Sequence, residues 1–324
     1  MSLSPTDVGH RVVVRRVVTG TDAGRPQFGD VLGELIELDA EHQRVVVRTA
    51  RGDVVAVPVA DVVAAKRVPP RRARPVDVDD LELERIAALG WRGLDVENLG
   101  GWLLRAAGGW TGRSNSVLPL GSPGLPLDAA LEYVRGWYRA RDLAPTIQLP
   151  LPALAELEEA LRERGWTDRW GALVLVAGVG ALRAAQLAVP GLPPVTVAES
   201  PDPAWLAAYH YRGGALPAVA ADVLRVADSP GFASVRLDGV PVAICRLAVD
   251  EGWVGVTAVE VDPAHRRRGF ATHLLAGAVE WAAARGARGV HLQVDSDNAP
   301  ALAVYEKLGF RRHHHYRYFR PADA

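Results

Sequence analysis

The chain has 324 residues, of which 49% are hydrophobic and 23% charged, and its net charge is −1. That length accommodates two or three domains with sizeable cores, and the charge balance excludes a disordered chain and any global field that would recruit nucleic acid or an anionic membrane. A single cysteine, Cys245, excludes an internal disulfide and fits a reducing cytoplasm, where the thiol reads as a small core residue on a strand.

Met1 to Gly9 is polar and carries no apolar core of a signal peptide. The longest apolar stretch, Trp170 to Leu182, is too short and too glycine-interrupted to span a bilayer. A cytoplasmic protein with no membrane partner is expected.

The first segment, residues 1–68, alternates with a period of two. Arg11 to Arg15, Gly29 to Leu38, Arg44 to Arg48 and Asp53 to Val57 are short, rich in β-branched residues and separated by turn residues. Asp39-Ala40-Glu41-His42 and Arg51-Gly52-Asp53 read as hairpin connections. Four or five such strands predict a small all-β SH3-like barrel. Its edge arginines (Arg11, Arg15, Arg16, Arg44 and Arg48) admit a protein partner, or serve only to prevent edge aggregation.

Residues 69–77 contain Pro69-Pro70-Arg71-Arg72-Ala73-Arg74-Pro75, a stiff charged run that reads as a linker. From residue 78 to 190 the pattern is mixed α/β. A helix is expected over Asp80 to Leu89, strands over Gly101 to Arg105 and Ser114 to Leu118, and a helix over Leu127 to Arg141. A strand over Pro145 to Leu149, a helix over Leu154 to Arg164 and a strand over Ala172 to Ala177 follow. The last segment, 191–324, opens with a strand at Val195 to Ala198 and a helix at Pro203 to Tyr209.

One echo links the two α/β segments. Glu163-Arg164-Gly165-Trp166 followed by a strand mirrors Lys307-Leu308-Gly309-Phe310 followed by Tyr316 to Phe319. Both are a helix ending in glycine, then an aromatic, then a strand. A duplicated domain is expected, with one copy lacking the motif described next.

That motif begins at Thr257. An apolar strand runs to Pro263, a turn Ala264-His265-Arg266-Arg267-Arg268 follows, and a helix begins near Gly269, with Leu274, Leu275, Ala278 and Ala282 on one face and a stop near Gly286. Unpaired N–H groups at a helix N-terminus, with the positive end of the helix dipole, make an anion site. Small residues at Gly269 and Ala271 allow phosphate oxygens to approach the main chain.

The stretch Arg266-x-x-Gly269-x-Ala271 resembles the R/Q-x-x-G-x-G/A signature of the GNAT superfamily of N-acetyltransferases, and Val261-x-Pro263 precedes it as in that family. Gln293 to Phe310, with Asn298, Ala301, Tyr305 and Gly309-Phe310, resembles the second family signature, N-x-x-A-x-x-x-Y-x-x-x-G-F. The whole arrangement is also similar to a two-part actinobacterial acetyltransferase family with an N-terminal SH3-like barrel. The resemblance implies an α/β (α+β) GNAT fold, tandem with a degenerate first half.

The resemblance also implies roles for individual residues. The main chain of Arg266, Arg267, Arg268, Gly269, Phe270, Ala271 and Thr272 would cradle the pyrophosphate of acetyl-CoA. The backbone from Val259 to Val261 would pair with the pantetheine arm and polarise the thioester carbonyl. Asn298 would bond the pantetheine, and Tyr305 would protonate the departing thiolate. The residues alone leave alternatives open: Asn298 as a helix N-cap, Tyr305 as core packing, and the three arginines as a solvated turn.

An amine acceptor with pKa about 10.4 is protonated at pH 7, so a general base is expected. Relatives that acetylate peptide termini carry a Leu-Glu-Val strand, whereas this chain has Leu292-Gln293-Val294, and an amide takes no proton. Glu260 is the candidate base, or else a surface carboxylate paired with an arginine. The run His313-His314-His315 invites a metal, but consecutive strand residues alternate faces and no cysteine or carboxylate cluster completes a tetrahedral set, so no metal is expected. Trp102, Arg105, Trp110, Arg113 and Asn115 stand near strand ends, where they either line an acceptor pocket or simply pack.

The expected function is transfer of acetyl from acetyl-CoA to an amine by direct attack in a ternary complex. The alternative is a non-catalytic acyl-CoA sensor or scaffold whose barrel binds a partner.

Overall fold

The computed structural model describes residues 3–22, 25–39, 41–49, 53–68 and 77–322. The Pro69 to Pro75 run, Ala40 and Arg51-Gly52 lie outside the described residues. The chain divides into two compact units, residues 1–73 and 74–324.

The first unit is one antiparallel sheet of β1 (Arg11–Asp22), β2 (Arg25–Asp39), β3 (Arg44–Thr49), β4 (Val54–Pro58) and β5 (Val62–Arg67), in the order β4-β3-β2-β1-β5. Alternation puts Val12, Val14, Leu35, Val45, Val47 and Val57 into the core at 0% exposure. Three of the expected edge arginines face acids directly across the ladder. Arg15 meets Asp30 at 2.9 Å, Arg44 meets Asp39 at 2.7 Å and Arg48 lies 3.7 Å from Glu34. Exposed pairs of this kind contribute about 0–1 kcal/mol, but they cancel much of the basic character the arginines alone would give.

The second unit begins with α1 (Asp80–Gly90), β6 (Asp95–Leu99), β7 (Trp102–Ala106), β8 (Leu118–Pro119), α2 (Leu127–Arg139), β9 (Ile147–Leu151), α3 (Ala155–Glu163), β10 (Trp166–Gly178) and α4 (Val179–Ala184). It continues with β11 (Thr196–Ala198), α5 (Pro203–Ala208), α6 (Ala220–Arg225), β12 (Pro230–Leu237), β13 (Val240–Asp250) and β14 (Trp253–Val261). It closes with α7 (Phe270–Ala284), β15 (Gly289–Asp295), α8 (Ala299–Lys307) and β16 (Arg311–Pro321). An eight-stranded sheet runs β11-β12-β13-β14-β15-β10-β16-β9, and a parallel bridge between Val117 and Ile147 attaches the small sheet β6-β7-β8 at its end. β13 is buried on almost every residue, so it lacks the alternation by which a strand is read from sequence.

The duplication is visible in backbone geometry. α3 and α8 start 144 positions apart, at 155 and 299, and each ends at a left-handed glycine, Gly165 (φ 74°) and Gly309 (φ 92°). The residues closing α2 and α7, Asp142 (φ 54°) and Gly286 (φ 80°), are left-handed at the same offset. The last strand of each half has crossed into the other: β10 lies between β15 and β16, and β16 lies between β10 and β9. The first half lacks the glycine turn that opens α7. Leu125-Pro126-Leu127 stands 144 positions before Gly269-Phe270-Ala271, and Pro126, the N-cap of α2, has no N–H to offer.

Candidate functional site

β14 keeps its ladder with β13 out to the pair Val261 and Ala243, but it pairs with β15 only from Trp253 to Val256. Beyond Val256 and Leu292 the two parallel strands separate, so the edge of β14 from Thr257 to Val261 faces a gap. A register shift interrupts the β13 ladder opposite Cys245, and Ala258 there has φ 51°. A left-handed alanine costs about 1–2 kcal/mol, and the bulge turns the main chain of the following residues.

The turn that follows is held by its own side chains. Asp262 accepts from the N–H of Ala264 at 2.8 Å and faces His265 Nδ1 at 3.1 Å, while Arg266 Nε donates to the carbonyl of Val261 at 3.1 Å. Arg267 (φ 60°) and Gly269 (φ 85°) both adopt the left-handed region. A Cβ on Gly269 would also meet Val189 at 3.1 Å, which explains the glycine twice over. The first bond inside α7 is from His273 N–H to the Gly269 carbonyl, so the amides of Phe270, Ala271 and Thr272 have no acceptor within the helix. The side chains of Arg266, Arg267 and Arg268 are exposed around this turn. His273 fastens the neighbouring loop by accepting from Val189 N–H at 3.0 Å through Nδ1 and reaching the Pro193 carbonyl at 2.9 Å through Nε2.

Next to the turn, between the splayed end of β14 and helices α7 and α8, lies a cavity of about 160 Å³ lined by Cys245, Val256, Val259, Ala271, Val304 and Tyr305. Tyr305 packs edge-on to Phe310 at 5.5 Å, and burial raises its phenol above the ordinary value, so it carries its proton at neutral pH. Burial likewise pushes the Cys245 thiol up to about 12, which removes it as a nucleophile. Asn298 is the N-cap of α8, its Oδ1 accepting from Ala301 N–H at 3.2 Å. The capping reading of this residue therefore holds; its carboxamide nitrogen remains available as a donor.

Glu260 points to the other face of the sheet. Its carboxylate is bonded not to an arginine but to His210, accepting the backbone N–H at 2.7 Å and facing Nδ1 at 3.1 Å. His210 was not expected from the sequence, because it lies fifty residues away on the loop after α5. Beside this pair are Trp110, Tyr209 and Tyr211 in edge contact, with Arg113 over Trp91 at 4.7 Å. Among the described residues, four polar groups on this face are buried without a hydrogen-bond partner: Trp110 Nε1, Arg246 Nη2, His291 Nδ1 and the whole amide of Gln293. Gln293 follows Leu292, the last residue paired with β14, so it stands at the mouth of the gap. Each unmet group costs about 1–3 kcal/mol, which a bound molecule or water would recover.

Of the five middle residues, Trp110 and Arg113 reach this face. Trp102 belongs to the core beneath α2. Arg105 is fixed by Ser116 and Gln148, and Asn115 ties its own loop by accepting from Ala107 and Gly109. The histidine run departs from the alternation expected of a strand. His313 and His314 do converge, with their Nδ1 atoms 2.8 Å apart, because a bulge interrupts the alternation of β16. Among the described residues, no helix is long and apolar enough to cross a membrane.

A family model described as "Probable histone acetyltransferase Rv0428c C-terminal" matches residues 79–319, and "Rv0428c N-terminal Sm-like domain" matches residues 6–66. The Mycobacterium tuberculosis protein named "Probable histone acetyltransferase Rv0428c" is 32% identical over 98% of this chain and 96% of its own length. A "Mycothiol acetyltransferase" of Clavibacter michiganensis is 45% identical over 74 residues, 23% of this chain and 24% of that protein. A solved GCN5-related N-acetyltransferase from Kribbella flavida shares the fold with TM-score 0.53 and 23% identity, covering 75% of this chain and 95% of its own. The N-terminal sheet is accordingly Sm-like, to which SH3-like is an approximation.

Proposed function

The chain belongs to the Rv0428c family of GNAT-fold acetyltransferases, and from that premise we propose that it transfers acetyl from acetyl-CoA directly to a neutral amine within a ternary complex. The observation that carries this reading is the parting of β14 from β15 beside a turn rich in free amides. The diphosphate would rest on the amides of residues 266–272, and the pantetheine arm would occupy the apolar cavity and pair with the open edge of β14. A main-chain N–H between Val259 and Val261, re-aimed by the bulge at Ala258, would hydrogen-bond the thioester oxygen as it gains charge. The Asn298 amide nitrogen would meet a pantetheine carbonyl.

The acceptor would enter from the opposite face, past Trp110, Tyr211 and Gln293. His210 is the proton acceptor in this scheme. With Nδ1–H directed at Glu260, the neutral ring presents a bare Nε2, and Glu260 fixes the tautomer. Attack of the amine on the carbonyl carbon breaks the C–S bond, and the Tyr305 hydroxyl hydrogen-bonds the departing sulfur. A phenol raised above its ordinary value stays protonated at neutral pH, so it offers the developing thiolate a hydrogen bond while the thiolate takes its proton from solvent.

The test is acetyl-CoA consumption against a panel of small amines, aminoglycosides, amino sugars and lysine-bearing peptides, with products detected by mass. Peptides enter because of the histone named in the tuberculosis relative. An acetylated amine that appears only with acetyl-CoA supports the reading; CoA binding at micromolar levels with no product from any amine overturns it.

A further inference from the structure

β16 carries one residue too many where it meets β10: Val174 stands opposite His314 and Leu175 opposite Arg312, which leaves His313 without a counterpart. Such a bulge allows consecutive side chains to emerge on one side of a strand. His313 Nδ1 and His314 Nδ1 thus stand 2.8 Å apart, and Asp80 Oδ1, from the first turn of α1, lies 3.3 Å from one and 3.8 Å from the other. Ligand atoms sharing one tetrahedral Zn²⁺ at about 2.0–2.1 Å are separated by about 3.3 Å, a figure these three distances straddle.

The remaining ring nitrogens are already committed. His313 Nε2 lies 2.8 Å from the Val78 carbonyl, which can only accept, so it is protonated. His314 Nε2 faces Glu84 Oε1 at 3.0 Å, and Glu84 Oε2 accepts from Gln148 at 2.8 Å. Both Nδ1 atoms therefore face the same point beside Asp80 inside the protein. The side chains of His313 and His314 are 8% and 0% exposed. A proton would serve two of the three groups, whereas a metal ion serves all three, and an imidazole whose outer nitrogen is held by a carboxylate or carbonyl is the usual form of a metal ligand.

We propose that Asp80, His313 and His314 bind one divalent transition-metal ion, Zn²⁺ by donor type, with solvent in the fourth position on the partly exposed Asp80 side. The ion clasps the start of α1 to the final strand of the same unit. This site is separate from the acetyl-transfer site and does not depend on the reading of it.

The test uses the full chain without a histidine tag, stripped with chelator and titrated with Co²⁺ and then Zn²⁺. One Co²⁺ per chain with the visible band of a four-coordinate ion, displaced by Zn²⁺, and a rise in Tm on adding Zn²⁺ are expected. Asp80→Asn and His313→Gln should each weaken binding at least tenfold, and Glu84→Gln, which loosens His314 without touching the ion, by about 10–100-fold. His315→Gln should leave binding unchanged. CoA binding reports folding in every variant. A folded wild-type chain that takes up no stoichiometric metal overturns the proposal, as does uptake unaffected by both Asp80→Asn and His313→Gln.

Discussion

His210 donates its backbone N–H to one oxygen of Glu260 at 2.7 Å and turns Nδ1 toward the other at 3.1 Å. One carboxylate thus fixes both the position of a loop and the orientation of a ring on the face of the sheet opposite the cavity.

If that ring takes the proton from the amine, His210→Gln lowers kcat/KM by about 10²–10⁴-fold. Glu260→Gln gives a smaller loss and a displaced acid limb in the pH–rate profile, because the imidazole keeps its nitrogen but loses its orienting charge. The KM for acetyl-CoA should stay within a few-fold in both. Unaltered rates and profiles would remove the pair from the mechanism.

Tyr305→Phe retains the ring against Phe310 and the wall of the cavity while deleting the hydroxyl. A fall in kcat of about 10²-fold with little change in CoA affinity is expected if the hydroxyl acts only on developing charge. Equal losses in kcat and in CoA binding would mark the ring as a packing element.

Gly269→Val places a β-branched residue at φ 85° with Val189 3.1 Å from its Cβ. Distortion of the turn should reduce CoA affinity by about 10–100-fold, or roughly 1.4–2.8 kcal/mol. Calorimetric titration checks it, and dephospho-pantetheine fragments lacking the diphosphate should show a much smaller difference.

Burial lowers the pKa of His291 to about 4, with weaker influences from Glu84, Arg113 and His314. The unfolded chain protonates near 6.5 and the folded chain only near 4, so nothing is lost above pH 6.5 and stability declines as pH falls from 6.5 to 4. The group's share is on the order of 3 kcal/mol. His291→Gln should therefore flatten the fall of Tm across that window relative to the wild type; parallel curves would refute the assignment.

Residues 191–324 expressed alone lack β10, which supplies Leu175 and Ala177 to the core beneath α7 and the ladder partner of both β15 and β16. Such a fragment should be insoluble or lack a cooperative thermal transition, whereas residues 74–324 should unfold cooperatively. Circular dichroism during heating distinguishes the two.

Much of the candidate site was legible because it is local. The turn from Asp262 to Thr272 and the helix start at Gly269 are set by neighbours in sequence, where left-handed glycines and free amides leave a composition that can be read directly. Tyr305 was singled out through the second signature, and the cap reading of Asn298 holds. His210 left no such trace, since nothing in its own neighbourhood indicates that a carboxylate on β14 will receive it. The convergence of His313 and His314 escaped notice for a related reason: alternation holds for a regular ladder, and the bulge at His313 depends on how β16 registers against β10.

Periodicity, turn chemistry and two spaced signatures determined the class of each segment, the repeat and the turn at the start of α7, since each rests on backbone preferences within about twenty residues. Strand exchange between the halves, the pairing of His210 with Glu260 and the meeting of Asp80 with His313 and His314 were decided by tertiary structure alone. Contacts between residues 50 to 234 positions apart arise from the order of strands in the sheet, and local preference carries no record of that order.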